Sequence, residues 1–170
     1  EMGFDFPYYE NDYSQVFIAA SGFLTFSDSE SWPSQSSIPT ASEPNNVIAP
    51  YWSPLYINLG EAEGVFYLQG GEAPDRFFVV EWADVAGGGP DDTTGGDDLF
   101  HFQVILYENG NILFQYGQMQ YAGTSYCGAA GIENATGEDG LNYLTLCGSA
   151  PSNQAVLFSR PDPAPRVQIL

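Results

Sequence analysis

Apolar residues alternate through FHFQVILYENGNILFQYGQ, residues 100–118, on either side of Glu108-Asn109-Gly110, and alternation marks a half-buried strand. Two hairpin registers compete. A two-residue Asn-Gly turn pairs Leu106 with Leu113, sets Val104 against Gln115 and Phe102 against Gly117, and divides the apolar side chains between both faces. A three-residue loop, with Gly110 left-handed as a bulge, pairs Leu106 with Ile112, Val104 with Phe114 and Phe102 with Tyr116, so that one face is wholly apolar. The second register is predicted, because a slip of one residue would bury His101, Gln103 and Gln115. Those three then share the opposite face with Ile105 and Leu113.

Short apolar runs recur along the chain between Gly, Pro and Asn. Residues 4–9 alternate and break at Pro7, 16–20 and 22–26 pair across a hinge near Ser21 and Gly22, and 47–52 is a buried strand stopped by Pro54. Residues 64–69 and 76–82 make a second hairpin with Phe78, Val80 and Trp82 on its core face. Residues 129–133 continue the sheet, 141–146 return to Cys147 after a turn, and 155–159 supply a last strand. Residues 27–46 and 86–98 lack a periodic apolar signal and read as loops, with Trp32 and Ile38 tucked inward from the first. No stretch sustains a helical stripe. The expected fold is all-β, an antiparallel, jelly-roll-like β-sandwich with little or no helix, formed by residues 1–160 as a single domain. Residues 161–170 read as a Pro-rich linker or tail, in which Val167, Ile169 and Leu170 offer a strand for self-association.

At 170 residues, one domain of this size buries roughly two-thirds of the surface its unfolded chain exposes. Net charge changes the picture more. The chain carries −19, from 22 acidic residues against Arg76, Arg160 and Arg166 and no lysine, which excludes a nucleic-acid role because phosphate binding needs clustered cations. An anionic membrane would repel it too, and no apolar run reaches the roughly 18 residues a spanning helix needs. Such charge suits a self-repelling soluble surface, or an extracellular setting where salt and divalent cations screen the carboxylates. Cys127 and Cys147 bracket what reads as a hairpin, so a disulfide between them is expected, with two buried thiols as the alternative. A disulfide places the chain outside the cytosol.

Taken in order, FDFPYY at 4–9, YSQVFI at 13–18, SGFLTF at 21–26, NVIAPYW at 46–52, GVFY at 64–67, FVVEW at 78–82, FQVILY at 102–107 and GIE at 131–133 resemble the nidogen-type (NIDO-like) extracellular domain. The likeness covers nearly the whole chain. It implies a secreted or cell-surface, non-catalytic module with an adhesive or structural role, as such domains have in bacterial multidomain proteins. Partners on that reading are other extracellular domains or surface proteins, and glycans. A subunit of an extracellular polymer or surface layer, or an accessory domain of a secreted hydrolase, fits the resemblance as well. The chain departs from the usual pattern at Ser21, where such domains often have Asn before the Gly, and at Ser53-Pro54, where an acid often follows the Trp.

Candidate chemistry is sparse. His101 is the sole histidine, and no Gly-x-Ser-x-Gly elbow accompanies it, so a solvated or hydrogen-bonded strand histidine is expected in place of a catalytic base. Zinc lacks ligands at suitable spacing. Trp52 and Trp82 sit in apolar strands and read as core, leaving Trp32 as the one loop tryptophan for a sugar. Asn134-Ala135-Thr136 matches the N-glycosylation triplet. Asp91, Asp92, Asp97 and Asp98 crowd four carboxylates into eight positions with glycines between them, a donor set for calcium. A solvated, self-repelling loop is the alternative.

Overall fold

The computed structural model describes residues 1–27, 35–57, 63–87, 99–120, 127–148 and 151–160. Among them are thirteen strands and no helix. They are β1 (Phe6–Tyr8), β2 (Asn11–Tyr13), β3 (Phe17–Ala19), β4 (Phe23–Thr25), β5 (Val47–Trp52), β6 (Leu55–Tyr56), β7 (Gly64–Gly70), β8 (Phe77–Gly87), β9 (Leu99–Tyr107), β10 (Ile112–Gln120), β11 (Gly128–Glu133), β12 (Gly140–Gly148) and β13 (Gln154–Phe158). Every pairing is antiparallel. Among the described residues, one sheet has six strands, with β13, β10, β9 and β8 side by side and both β7 and β6 along the outer edge of β8. A second has five, in the order β12, β11, β5, β4, β3, and β1 with β2 forms a small ribbon. The fold is an all-β sandwich, as the alternation predicted.

The central hairpin has the bulged register. Leu106 faces Ile112, Val104 faces Phe114 and Phe102 faces Tyr116, while Gly110 sits at φ 88 and its amide donates to the Tyr107 carbonyl at 2.8 Å. All six apolar side chains of that face are buried, and each contributes about 1.5–3 kcal/mol relative to an exposed position. The five-stranded sheet closes over them. Trp82 Nε1 donates to the Ala19 carbonyl at 3.0 Å and the Tyr116 hydroxyl to that of Pro50 at 2.8 Å, and the Tyr51 ring meets Phe100 and Phe102 at centroid distances of 5.4 and 5.9 Å. Trp52 and Trp82 are both fully buried, and Ile38 tucks inward as expected; Trp32 lies outside the described residues.

β1 runs through Pro7, where a break was expected, since the ribbon with β2 leaves Pro7 opposite Asp12 without needing its missing amide, and three further elements differ from the sequence reading. β2 is a polar Asn-Asp-Tyr segment with no alternation, made a strand by the backbone of β1. β6 follows Pro54, where the strand was expected to stop, and pairs Leu55 with Gly87 and Tyr56 with Ala86. β8 accordingly runs through Gly87, past the point where a loop was expected. In each case a partner's backbone, not the segment's own side chains, supplies the reason for extended structure.

Candidate functional site

The six-stranded sheet turns one face to the core and the other outward. Its outward face carries an apolar row that crosses five strands: Leu68 pairs with Val79, Val79 with Ile105, Ile105 with Leu113 and Leu113 with Leu157. The row ends in leucines that are 61% and 55% exposed. Phe77 of β8 and its neighbour Tyr107 of β9 widen it at one side, both half-buried. A contiguous apolar band on an outer sheet face is the surface feature expected of a contact site. The sequence pattern puts Ile105 and Leu113 on the outer face of one hairpin and Val79 opposite the core face of another, but it does not join them or add Leu68 and Leu157, because which residue stands beside which depends on the registers of four separate ladders.

The other half of the face is polar and centres on His101. Phe102 pairs with Trp82 on one side and Tyr116 on the other, and Phe100 pairs with Val85 and Met119. His101 thus stands opposite two residues on each side, Ala83 with Asp84 and Gly117 with Gln118, between two bulges. A bulge re-aims the side chains next to it. Here Asp84, at φ 50, lies 3.2 Å from His101 Nδ1, and Glu81 lies 2.9 Å from Nε2. Gln103 Nε2 donates to Gln115 Oε1 in the next row. Partial burial lowers the His101 pKa, but the hydrogen bonds to Glu81 and then Asp84 raise it further, and the ring holds its proton above the ordinary value. The histidine is hydrogen-bonded in a strand, as expected, and both ring nitrogens are occupied by carboxylates.

At the far end of β11, Glu133 is fully buried. Its Oε2 accepts from the Thr40 amide at 2.9 Å, and its Oε1 is buried with no hydrogen-bond partner among the described residues. Burial pushes the carboxyl up to about 7, against the Thr40 bond and with help from the charge of Glu43. Asn134 beside it is buried, and its Oδ1 accepts from the Thr136 amide, the Thr136 hydroxyl and the Asp139 amide. The triplet that matched a glycosylation signal is therefore a turn anchor. A groove of about 490 Å³ opens nearby, lined in part by Tyr9, Ile112, Asp139, Leu141, Phe158 and Arg160, within the size range of small-ligand sites.

The remaining sequence candidates divide by position. Gly128 pairs with Gly148, which brings the backbone of Cys127, just before β11, close to that of Cys147 near the end of β12; the Cys147 side chain lies outside the described residues. Asp91, Asp92, Asp97 and Asp98 and the 161–170 tail lie outside them as well. Among the described residues no three His, Cys, Asp or Glu side chains form a metal-holding group. At the two departures from the resemblance, the Ser53 amide donates to the Ser21 carbonyl at 3.0 Å and the buried Ser53 hydroxyl to that of Cys127 at 3.3 Å.

The family described as NIDO related matches residues 1–160, and the chain belongs to it. No curated protein and no solved structure matched the chain.

Proposed function

We propose that this NIDO-related chain is a secreted or cell-surface module that acts without catalysis and serves an adhesive or structural role through the outward face of its six-stranded sheet. Family membership points to an extracellular module. The observation that carries the finer reading is the row of Leu68, Val79, Ile105, Leu113 and Leu157, an apolar band left facing outward on a chain of net charge −19. Such charge keeps the molecule soluble and self-repelling, so a band of this kind stands apart from the general character of the surface. Its partners are other extracellular domains or surface proteins. A non-catalytic role is supported at His101, whose two nitrogens go to Glu81 and Asp84 and leave neither for activating a hydroxyl nucleophile. The same reading includes a disulfide between Cys127 and Cys147 and calcium on Asp91, Asp92, Asp97 and Asp98.

Two exposed residues allow a direct test. An antibody should find the protein outside its source cells and on their surface, and purified protein should rebind cells stripped of it. The Leu68→Lys/Leu157→Lys double variant should fold and fail to rebind. Protein found only inside cells, or equal rebinding by the variant, would overturn the reading.

A further inference from the structure

We propose that the free edge of β7 is a strand-addition site that takes an extended, lysine- or arginine-bearing segment of another protein as a further strand of the six-stranded sheet. The proposal rests on the contact-face reading and names the kind of partner and its mode of binding.

Among the described residues, β7 pairs with β8 alone, so one side of its backbone has no strand beside it. Natural proteins protect such edges with charge, proline, bulges or brevity. β7 has none of these. It is seven residues long, reads GVFYLQG without a charge or a proline, and runs in unbroken register against β8 from Gly64 opposite Ala83 to Gly70 opposite Phe77. Phe66, Tyr67 and Leu68 are 49%, 67% and 61% exposed. Phe66 and Leu68 lie on the outward face and Tyr67 on the other, where its ring stacks on Phe78 at 5.7 Å. An added strand would cover side chains on both faces while satisfying the edge amides and carbonyls, which is how extended peptides bind sheet edges.

Charge selects the occupant. Glu63 immediately precedes β7, Glu72 and Asp75 follow it, the Gln69 side chain donates to the Glu1 carbonyl at 2.6 Å and brings that residue to the same end, and the cation there, Arg76, is already paired with Glu108. Carboxylates therefore stand at both ends of an uncharged strand. A second copy is disfavoured. Antiparallel pairing of two β7 strands about Tyr67 would set Glu63 of one beside Gly71 and Glu72 of the other, at both ends, between molecules that each carry −19. An uncharged extended core with cations at its ends meets both conditions, and its charges also steer the encounter.

The probe is a synthetic peptide with an alternating Val-Thr core flanked by lysines, compared with the same core flanked by glutamates and with a lysine-flanked core interrupted by proline. Binding to the full 170-residue chain is measured by fluorescence anisotropy at low and high salt, and amide hydrogen exchange is followed along β7. The lysine peptide should bind in a salt-dependent way and slow exchange at the β7 amides, while the other two do neither. Tyr67→Lys and Leu68→Lys, both at exposed positions, should each weaken binding by about tenfold or more. Binding without protection of β7, equal protection by the glutamate peptide, or unchanged binding by both variants would overturn the proposal. So would a dimer seen by sedimentation with β7 protected before any peptide is added, since a second copy would then be the occupant. Rebinding of cells lost in Leu68→Lys/Leu157→Lys with no peptide protection of β7 would remove strand addition and leave the contact face. Peptide protection with normal rebinding would remove the contact face.

Discussion

The Thr40 amide donates to Glu133 Oε2 at 2.9 Å, and this bond ties the segment before β5 to the last residue of β11. The carboxyl it holds is buried and pushed up to about 7, above the roughly 4.3 of an unfolded glutamate. A raised acid pKa means that the native state resists ionisation, so stability falls as pH rises from about 4.3 and levels off above about 7. Glu133→Gln keeps an acceptor for Thr40 and removes the charge. It should match the wild type near pH 4.5 and exceed it by on the order of 2 kcal/mol at pH 8, measured by urea unfolding at both. A constant difference between the two proteins across that range would count against the assignment.

Gly110 adopts φ 88, and a Cβ there would lie 2.8 Å from Arg160 Cδ and 3.1 Å from Pro7 Cγ. Gly110→Val should therefore destabilise by on the order of 1 to 3 kcal/mol through strain and crowding together. Gly95→Val, in the acidic segment, serves as the comparison. Equal losses at the two positions in thermal melts would remove the special role of the bulge.

His101 is raised by its two carboxylate partners. A raised histidine pKa contributes stability that is fully present below about pH 6.5 and fades as pH rises through the higher folded value. His101→Ala should thus be less stable than wild type at pH 5.5, by roughly 0.5 kcal/mol given the exposure of all three groups, and should converge with it at pH 9. Loss of the same size at both pH values would mean that packing, not charge, is what the ring supplies.

A disulfide between Cys127 and Cys147 should appear as a mass two hydrogen atoms lighter than the reduced chain under denaturing conditions. Reduction should destabilise by roughly 3 kcal/mol for a closed loop of about 20 residues. Two thiols available to an alkylating agent before reduction would rule the bond out.

Calcium on the segment with Asp91, Asp92, Asp97 and Asp98 should raise the melting temperature, by about 2.7 kcal/mol of added stability at a hundredfold excess over its dissociation constant. Magnesium at equal ionic strength should do less, since it demands a stricter geometry. Asp92→Asn with Asp97→Asn should abolish the calcium effect; persistence of the effect in that variant would place the ion elsewhere or reduce it to screening.

What the sequence determined by itself was local. Alternation has a period of two, so the residues 102, 104, 106, 112, 114 and 116 could be assigned to one face and the loop length decided by asking which register keeps them together; the structure has that register. The burial of Trp52, Trp82 and Ile38 was legible for the same reason, since each belongs to a run too apolar or too constrained to face water. What tertiary structure decided was everything that depends on which strand lies beside which. β2 and β6 carry no pattern of their own and became strands because β1 and β8 offered them unpaired backbone groups. Glu81 and Asp84 reach His101 from 20 and 17 residues away through a bulge no local signal announces. The apolar row exists only where four ladders align Leu68, Val79, Ile105, Leu113 and Leu157, and β7 lies at an edge because, among the described residues, β8 alone pairs with it. Pairing between distant segments is selected by burial summed over the whole sandwich, and no single stretch of chain contains that sum.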